Sequence, residues 1–330
     1  MKFKSTLMIA ALCFVVSSIE AQGALFSDPL DDPNALGSTW GINQSSSDNT
    51  ATFGYDYSAD GIPEAPNSQG GAATTGVKLE SNNTDFDDTT GEFFTLYPLG
   101  QNFTGKYQLR FDSWQNYSTF DREQDGGSGT TEFLGGGIGY DNVSANVGAG
   151  HQLINTSEGG SGSDYRAFKG GTFLGHGDIV AGSRNATGSS PNFAATSALY
   201  QGLFPAGSGV PPGVQSQTGV PNENRGGTPG FQWVTHTVSV DGNVVRHQMT
   251  NQNGDTRNIV VYDTTVLDPN NVVPTDGNIS IFYADFFSSI SPSANVTFGV
   301  VDNVVVTIPE PASAMLSMGG LCWVFTRRRK

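Results

Sequence analysis

The middle of the chain predicts an all-β fold, and three observations carry that prediction. Polar and apolar side chains alternate with a period of two in several runs. Gly-centred turn signals separate those runs. Gly, Ser, Thr, Asn and Asp abound while Leu, Lys and Glu are sparse, which disfavours helices. About a dozen short strands in one unit of this size imply two packed sheets, a jelly-roll sandwich. No internal repeat recurs at a fixed period, which disfavours a propeller or a β-helix.

In chain order, strands are expected at Thr52–Tyr57, Gly76–Glu80 and Glu92–Leu99. Tyr107, Leu109 and Phe111 then alternate with Gln108, Arg110 and Asp112. Strands follow at Thr131–Tyr140 and Asp164–Lys169. Residues 183–229 lack periodicity and are rich in Gly, Pro and Ser, so they read as a long surface loop or a partly disordered insertion, with one short helix near Phe193–Leu203. Val234, Val238 and Val240 share one face of the next strand, with Thr235, Thr237 and Ser239 on the other. Asp241-Gly242 between two valine-rich runs is a hairpin signal. Asn243–Thr250, Asn258–Asp263 and Asn278–Phe287 continue the pattern. Val296, Phe298, Val300, Val304 and Val306 fall at even spacing along one face, interrupted by Asp302.

The ends are patterned differently. Lys2 and Lys4 precede an apolar run from Leu7 to Val16 and small residues at Ala21, Gly23 and Ala24. That is the layout of a secretory signal peptide over residues 1–24, cleaved between Ala21 and Leu25 after export by the Sec machinery. At the other end, Pro309-Glu310-Pro311 is followed by fifteen uncharged residues, Ala312 to Thr326, and then by Arg327, Arg328, Arg329 and Lys330. Fifteen residues make about 22 Å of helix, short of a hydrocarbon core of ~30 Å. Four terminal cations are costly to translocate. The expectation is a short C-terminal hydrophobic helix that inserts transiently in the inner membrane.

Residues 309–330 resemble the PEP-CTERM sorting signal of bacteria with an outer membrane, in three parts and in the right order. The resemblance implies an exosortase, a membrane-embedded transpeptidase-like protease, as a partner that acts near Pro309, Glu310 and Pro311. It also implies a link to exopolysaccharide and biofilm. The expected destination is the cell surface, the outer membrane or the extracellular matrix. The apolar run is shorter and richer in Gly and Ser than that pattern leads one to expect.

Residues 25–308 remain as the β-sandwich domain. They hold ten Lys and Arg against 29 Asp and Glu, a net charge of −19. So acidic a surface excludes nucleic acid as a partner, because phosphate binding needs clustered cations. Both cysteines, Cys13 and Cys322, lie in the end segments, so the domain has no thiol chemistry and no disulfide.

Trp233 to Gly242 and the strand after it resemble the sheet hairpin of concanavalin A-like and laminin-G-like domains. Val301 to Thr307 resembles the last strand of carbohydrate-binding jelly rolls, and Phe26 to Asp32 with Trp40 their first. The resemblance implies that the first and last strands pair. It also implies a terminal calcium clamp, for which Asp28 and Asp302 are the matching acids. Hard oxygen ligands of this kind suit structural Ca²⁺. Exposed aromatic side chains would bind a sugar, and Trp114, Tyr117 and Phe120 cluster after a strand; Trp40 and Trp233 read as core.

The enzyme reading to weigh is a secreted polysaccharide hydrolase or lyase, which needs paired carboxylates about 5–10 Å apart. Thr131–Gly136 supplies only Glu132, and Asp85 and Asp87 fall in a turn-rich stretch. His151, His176, His236 and His247 show no metal-ligand spacing and read as core or solvated. The expectation is therefore a non-catalytic surface or matrix protein with polysaccharide as its ligand. Two or more carboxylates lining the concave sheet face would favour the enzyme instead.

Overall fold

The alternating runs form fifteen strands in the computed structural model, which describes residues 24–68, 74–83, 91–124, 129–145, 150–174, 194–219, 221–267, 272–290 and 292–309. In order they are β1 (Phe26–Asp28), β2 (Trp40–Gln44), β3 (Asn49–Asp56), β4 (Thr75–Ser81), β5 (Glu92–Pro98), β6 (Tyr107–Asn116), β7 (Glu132–Tyr140) and β8 (His151–Thr156). There follow β9 (Tyr165–Lys169), β10 (Thr172–Phe173), β11 (Val234–Asp241), β12 (Val244–Thr250), β13 (Thr256–Asp263), β14 (Asn278–Asp285) and β15 (Phe298–Thr307). Among the described residues, helices are confined to single turns and short pieces, such as α1 (Thr119–Gln124) and α2 (Ala198–Leu203). None of the described helices is long and apolar enough to cross a membrane. The leader 1–23 and the tail from Glu310 onward lie outside the described residues.

Two antiparallel sheets form a jelly-roll sandwich. One runs β13-β12-β11-β6-β15-β4-β3, with β1 also paired to β15; the other runs β10-β9-β8-β7-β14-β5-β2. The chain passes repeatedly from one sheet to the other, although β7 to β10 form a run of sequential neighbours in the second sheet and β11 to β13 one in the first. The first and last strands pair, with Phe26 opposite Val306 and Asp28 opposite Val304. The hairpin at Asp241-Gly242 closes with Asp241 opposite Val244, and Gly242 takes φ 63°, which a residue with a Cβ rarely adopts.

Between the sheets lies a large apolar core that includes Trp40, Phe94, Leu109, Phe111, Leu134, Val238, Ile281 and Val304. Two smaller clusters cover outer faces. Tyr57, Trp114, Tyr117, Phe231, Trp233, Phe298 and Val300 pack on the first sheet. Phe133, Ile154, Phe168, Phe282 and Ala284 pack on the second.

Two sequence expectations change. The valines of β15 do not share one face: Phe298 and Val300 join the outer cluster, whereas Val304 and Val306 join the central core. A register shift between Asp302 and Val305, with Asn303 at φ 57°, inserts an extra residue and turns the strand over. The stretch 183–229 is not a bare surface loop over its described part. Tyr200, Leu203 and Phe204 are buried in the central core, and the Tyr165 and Tyr200 rings stack 3.7 Å apart.

Candidate functional site

Of the three aromatic residues expected to form a platform, one reaches solvent. Trp114 and Tyr117 are buried at 3% and 1% exposure, while Phe120 on α1 is 47% exposed. Trp114 does point away from the central core, but Trp233 packs edge-on to it at 5.9 Å and Tyr117 stacks on Phe231 at 4.5 Å. Segments that follow β3 and precede β11 cover that face, so Trp114, Tyr117 and Phe120 offer no joint surface. Trp40 and Trp233 are core, as expected.

Asp28 and Asp302 lie on paired strands but do not meet. Asp28 accepts hydrogen bonds from the Leu30 amide at 2.7 Å and from Trp40 Nε1 at 2.9 Å, on the side of the central core. Asp302 accepts from the Tyr57 hydroxyl at 2.9 Å and the Asn303 amide at 2.7 Å, on the opposite face of the sheet. The bulge is the reason, since it places Asp302 with Phe298 and Val300. Both acids are satisfied by protein donors, and the terminal clamp is not formed by this pair. Among the described residues no group of three or more His, Cys, Asp or Glu could hold a metal ion.

A row of carboxylates that the sequence reading missed crosses the second sheet. Asp285 on β14 faces Glu92 on β5 and Glu132 on β7 in register. All three point between the sheets, since Phe94, Tyr283 and Leu134 two residues along are core. Glu92 accepts from Ser46 and from Asn49 Nδ2, and Asp285 from the Phe287 amide and Asn82 Nδ2. Glu132 Oε2 is buried without a well-formed hydrogen bond, with the Tyr283 hydroxyl as its neighbour. Burial raises Glu132 well above the usual carboxylate range and pushes Asp285 up to about 7. Each is at most 2% exposed, so none of the three can attack a polymer lying on the sheet. The signal was present in sequence as an acid near the end of three expected strands. Asp85, Asp87 and His176 lie outside the described residues.

The three described histidines are core. His151 Nδ1 meets the Tyr262 hydroxyl at 2.8 Å, and His236 Nε2 meets Ser113 Oγ at 3.0 Å. His236 stacks on Phe111 at 4.7 Å, and both ring nitrogens of His247 are buried without a partner. Burial lowers all three, to about 4 for His151 and about 3 for the other two.

Aromatic surface with polar company occurs elsewhere, at the edge of the second sheet. A hollow of about 670 Å³ is lined by Gly160, Ser161, Gly162, Ser163, Arg166, Phe168, Phe173 and Phe287. Arg166 and Phe168 share the outer face of β9, Phe173 lies on β10, and Phe287 follows β14. Phe173 and Phe287 are 40% and 43% exposed, so two ring surfaces face solvent beside one cation. Arg166 is fixed from two sides. Its Nε donates to Ser163 O at 3.0 Å and Nη2 to Ser161 Oγ at 3.1 Å. Its guanidinium carbon lies 4.3 Å from the Phe133 ring centre and 5.3 Å from that of Phe286. Rigid aromatic walls with a few oriented polar groups are how small-ligand sites are built. Alternation along Asp164–Lys169 puts Arg166 beside Phe168, but Phe173 and Phe287 come from other segments, which no local pattern joins. The outer face of this sheet carries no carboxylate from β5, β7, β8, β9 or β14: Phe93, Phe133, Gln152, Thr156, Arg166 and Phe282 lie there.

A jelly-roll sandwich with a solvent-facing aromatic hollow on one sheet is thus the class that fold and site define. Solved structures with a similar layout include two lectins and the VIP36 exoplasmic/lumenal domain. A peanut lectin with a nine-residue peptide shares 6% identity over 87% of this chain and 98% of its own, with a TM-score of 0.40. The VIP36 exoplasmic/lumenal domain in its Ca²⁺/Man2-bound form shares 10% identity over 88% and 91%, with a TM-score of 0.42. A Lotus tetragonolobus seed lectin shares 10% over 87% and 99%, at 0.40. The fold assignment here rests on the strand pairings themselves. No protein-family model matches the chain, and no curated protein does.

Proposed function

We propose that this is an exported, exosortase-processed protein of the cell surface or extracellular matrix, whose jelly-roll domain binds polysaccharide without cleaving it. The observation that carries the binding reading is the hollow around Arg166, with the half-exposed rings of Phe173 and Phe287 on its walls. Flat apolar rings suit the C–H faces of sugar rings, and Ser161, Ser163 and Arg166 supply hydroxyl and guanidinium groups for the sugar oxygens. The non-catalytic reading is supported by the carboxylates at Glu92, Glu132 and Asp285 being enclosed between the sheets. The export and sorting readings rest on residues 1–24 and on Pro309, Glu310, Pro311 and Arg327 to Lys330.

A glycan array probed with the domain 25–308 tests the binding. Phe287→Ala is expected to weaken retention of the bound glycans at least tenfold without changing the melting temperature by more than a few degrees. Unchanged retention in Phe287→Ala and Phe173→Ala would remove the hollow as the site. Sorting is tested in the cell: Glu310→Ala is expected to leave the tail uncleaved, and a mature protein of unaltered mass and location would defeat that part.

A further inference from the structure

We infer that the hollow selects an acidic polysaccharide, one whose sugar rings carry a carboxylate, and that Arg166 is the group that reads the charge. The inference rests on the binding reading above and narrows it to a ligand class. Arg166 is the one charged residue among the described residues that line the hollow. The ion pairs among the described residues are Lys78–Glu80, Lys106–Asp241, Arg122–Glu158 and Arg225–Glu123, so Arg166 lacks a carboxylate partner in a domain rich in them. Asp164 is close enough to favour its charged form, yet Asp164 is already bound by the amides of Ser161 and Ala195 and by Thr156 Oγ1.

Two of the three guanidinium nitrogens are used internally, by Ser163 O and Ser161 Oγ. Nη1 has no acceptor among the described residues. Stacking on Phe133 and Phe286 fixes the plane of the group, so Nη1 is pre-aimed rather than free to swing. Burial lowers the pKa of Arg166, the sign that its charge is poorly solvated where it sits. A ligand carboxylate would restore what burial removed, through a charge-assisted hydrogen bond. A neutral sugar hydroxyl would do so only in part.

The net charge of the domain argues that the attraction is local. A body at −19 repels a polyanion over distance, and salt at physiological strength confines that repulsion to about 8 Å. Binding to a polyuronate is therefore expected to strengthen, not weaken, between about 10 and 150 mM salt. Non-specific electrostatic adhesion gives the opposite slope.

The test uses polygalacturonate and its fully methyl-esterified form, which share backbone and linkage and differ in charge. Domain 25–308 is expected to bind the acid at least tenfold more tightly than the ester. Arg166→Gln should abolish that preference while leaving ester binding in place, and Phe287→Ala should weaken both. Equal affinity of the unaltered domain for acid and ester would overturn the acidic-ligand inference and leave the polysaccharide reading standing. Binding to neither, with no glycan retained on the array, would overturn both. The comparison on the unaltered domain decides the matter even if Arg166→Gln fails to fold.

Discussion

His247 is buried on β12 with neither ring nitrogen hydrogen-bonded, whereas His151, facing it from the other sheet, binds the Tyr262 hydroxyl and Val273 O. A buried polar group without a partner costs about 1–3 kcal/mol, while removing one partner of a made bond orphans the other. The two histidines should therefore respond oppositely to the same change. His247→Leu is expected to raise stability at pH 7 by about 1 kcal/mol. His151→Leu should lower it, because the Tyr262 hydroxyl is left alone. The pH dependence sharpens the contrast. The fold holds His247 neutral down to about 3, whereas the unfolded chain protonates near 6.5. Stability from this residue is thus complete above 6.5 and is lost as pH falls toward 3. His247→Leu removes that loss, so its gain in urea melts should be larger at pH 5 than at pH 7. An equal or smaller gain at pH 5 would show that the ring is solvated in the folded domain.

At the scale of strands and loops, most of the sandwich was legible because most strands have one buried face and one wet one. β11, with Val234, His236, Val238 and Val240 inward and Thr235, Thr237 and Ser239 half-exposed, is the plain case. β8, His151–Thr156, was missed for the converse reason. All six residues are buried, so no alternation marks it. β15 was found but misread, since period-two counting runs straight through a bulge and assigns Val304 and Val306 to the wrong side. That single extra residue also undid the metal reading, because Asp302 was taken to share a site with Asp28. Trp114 points away from the central core, and yet it is buried. What covers it includes Phe231 and Trp233, more than a hundred residues later, a closure that polarity patterns do not encode. The hollow at Arg166 belongs with these. Its residues come from the turn between β8 and β9, from β9 and β10, and from the segment after β14, which no local pattern in the sequence joins.

For the molecule as a whole the dominant electrostatic fact is an excess of carboxyl groups, both on the surface and inside. Surface carboxylates repel one another through water and are screened by salt. The row Glu92, Asp285 and Glu132 is enclosed between the sheets, where salt reaches it poorly, so the two contributions can be separated. Burial pushes Asp285 up to about 7 from an ordinary value of 3.8, and Asp302 likewise. A carboxyl group raised in the fold favours folding fully below 3.8, and that favour is lost as pH climbs through about 7. Each pKa unit corresponds to about 1.4 kcal/mol, so Asp285 alone spans a few kcal/mol across this window. Buried histidines tilt stability the other way below 6.5, which is why the shape of the whole curve is less informative than one substitution. Asp285→Asn stays neutral at every pH and keeps an acceptor for the Phe287 amide. Its new amide can face Asn82, whose Oδ1 is buried and unpartnered, once the Asn82 amide turns over, an exchange that gives up the Asn82 Nδ2 bond to Phe287 O but leaves no charge to bury at pH 8. The variant should therefore match the parent near pH 4 and exceed it in melting temperature by several degrees at pH 8. Adding sodium chloride to 0.5 M should raise both proteins at pH 8 by similar amounts, since it acts on the surface they share. A variant less stable than the parent at pH 8, in low and high salt alike, would mean that the Asp285 carboxylate is ionised and favourably paired in the folded domain.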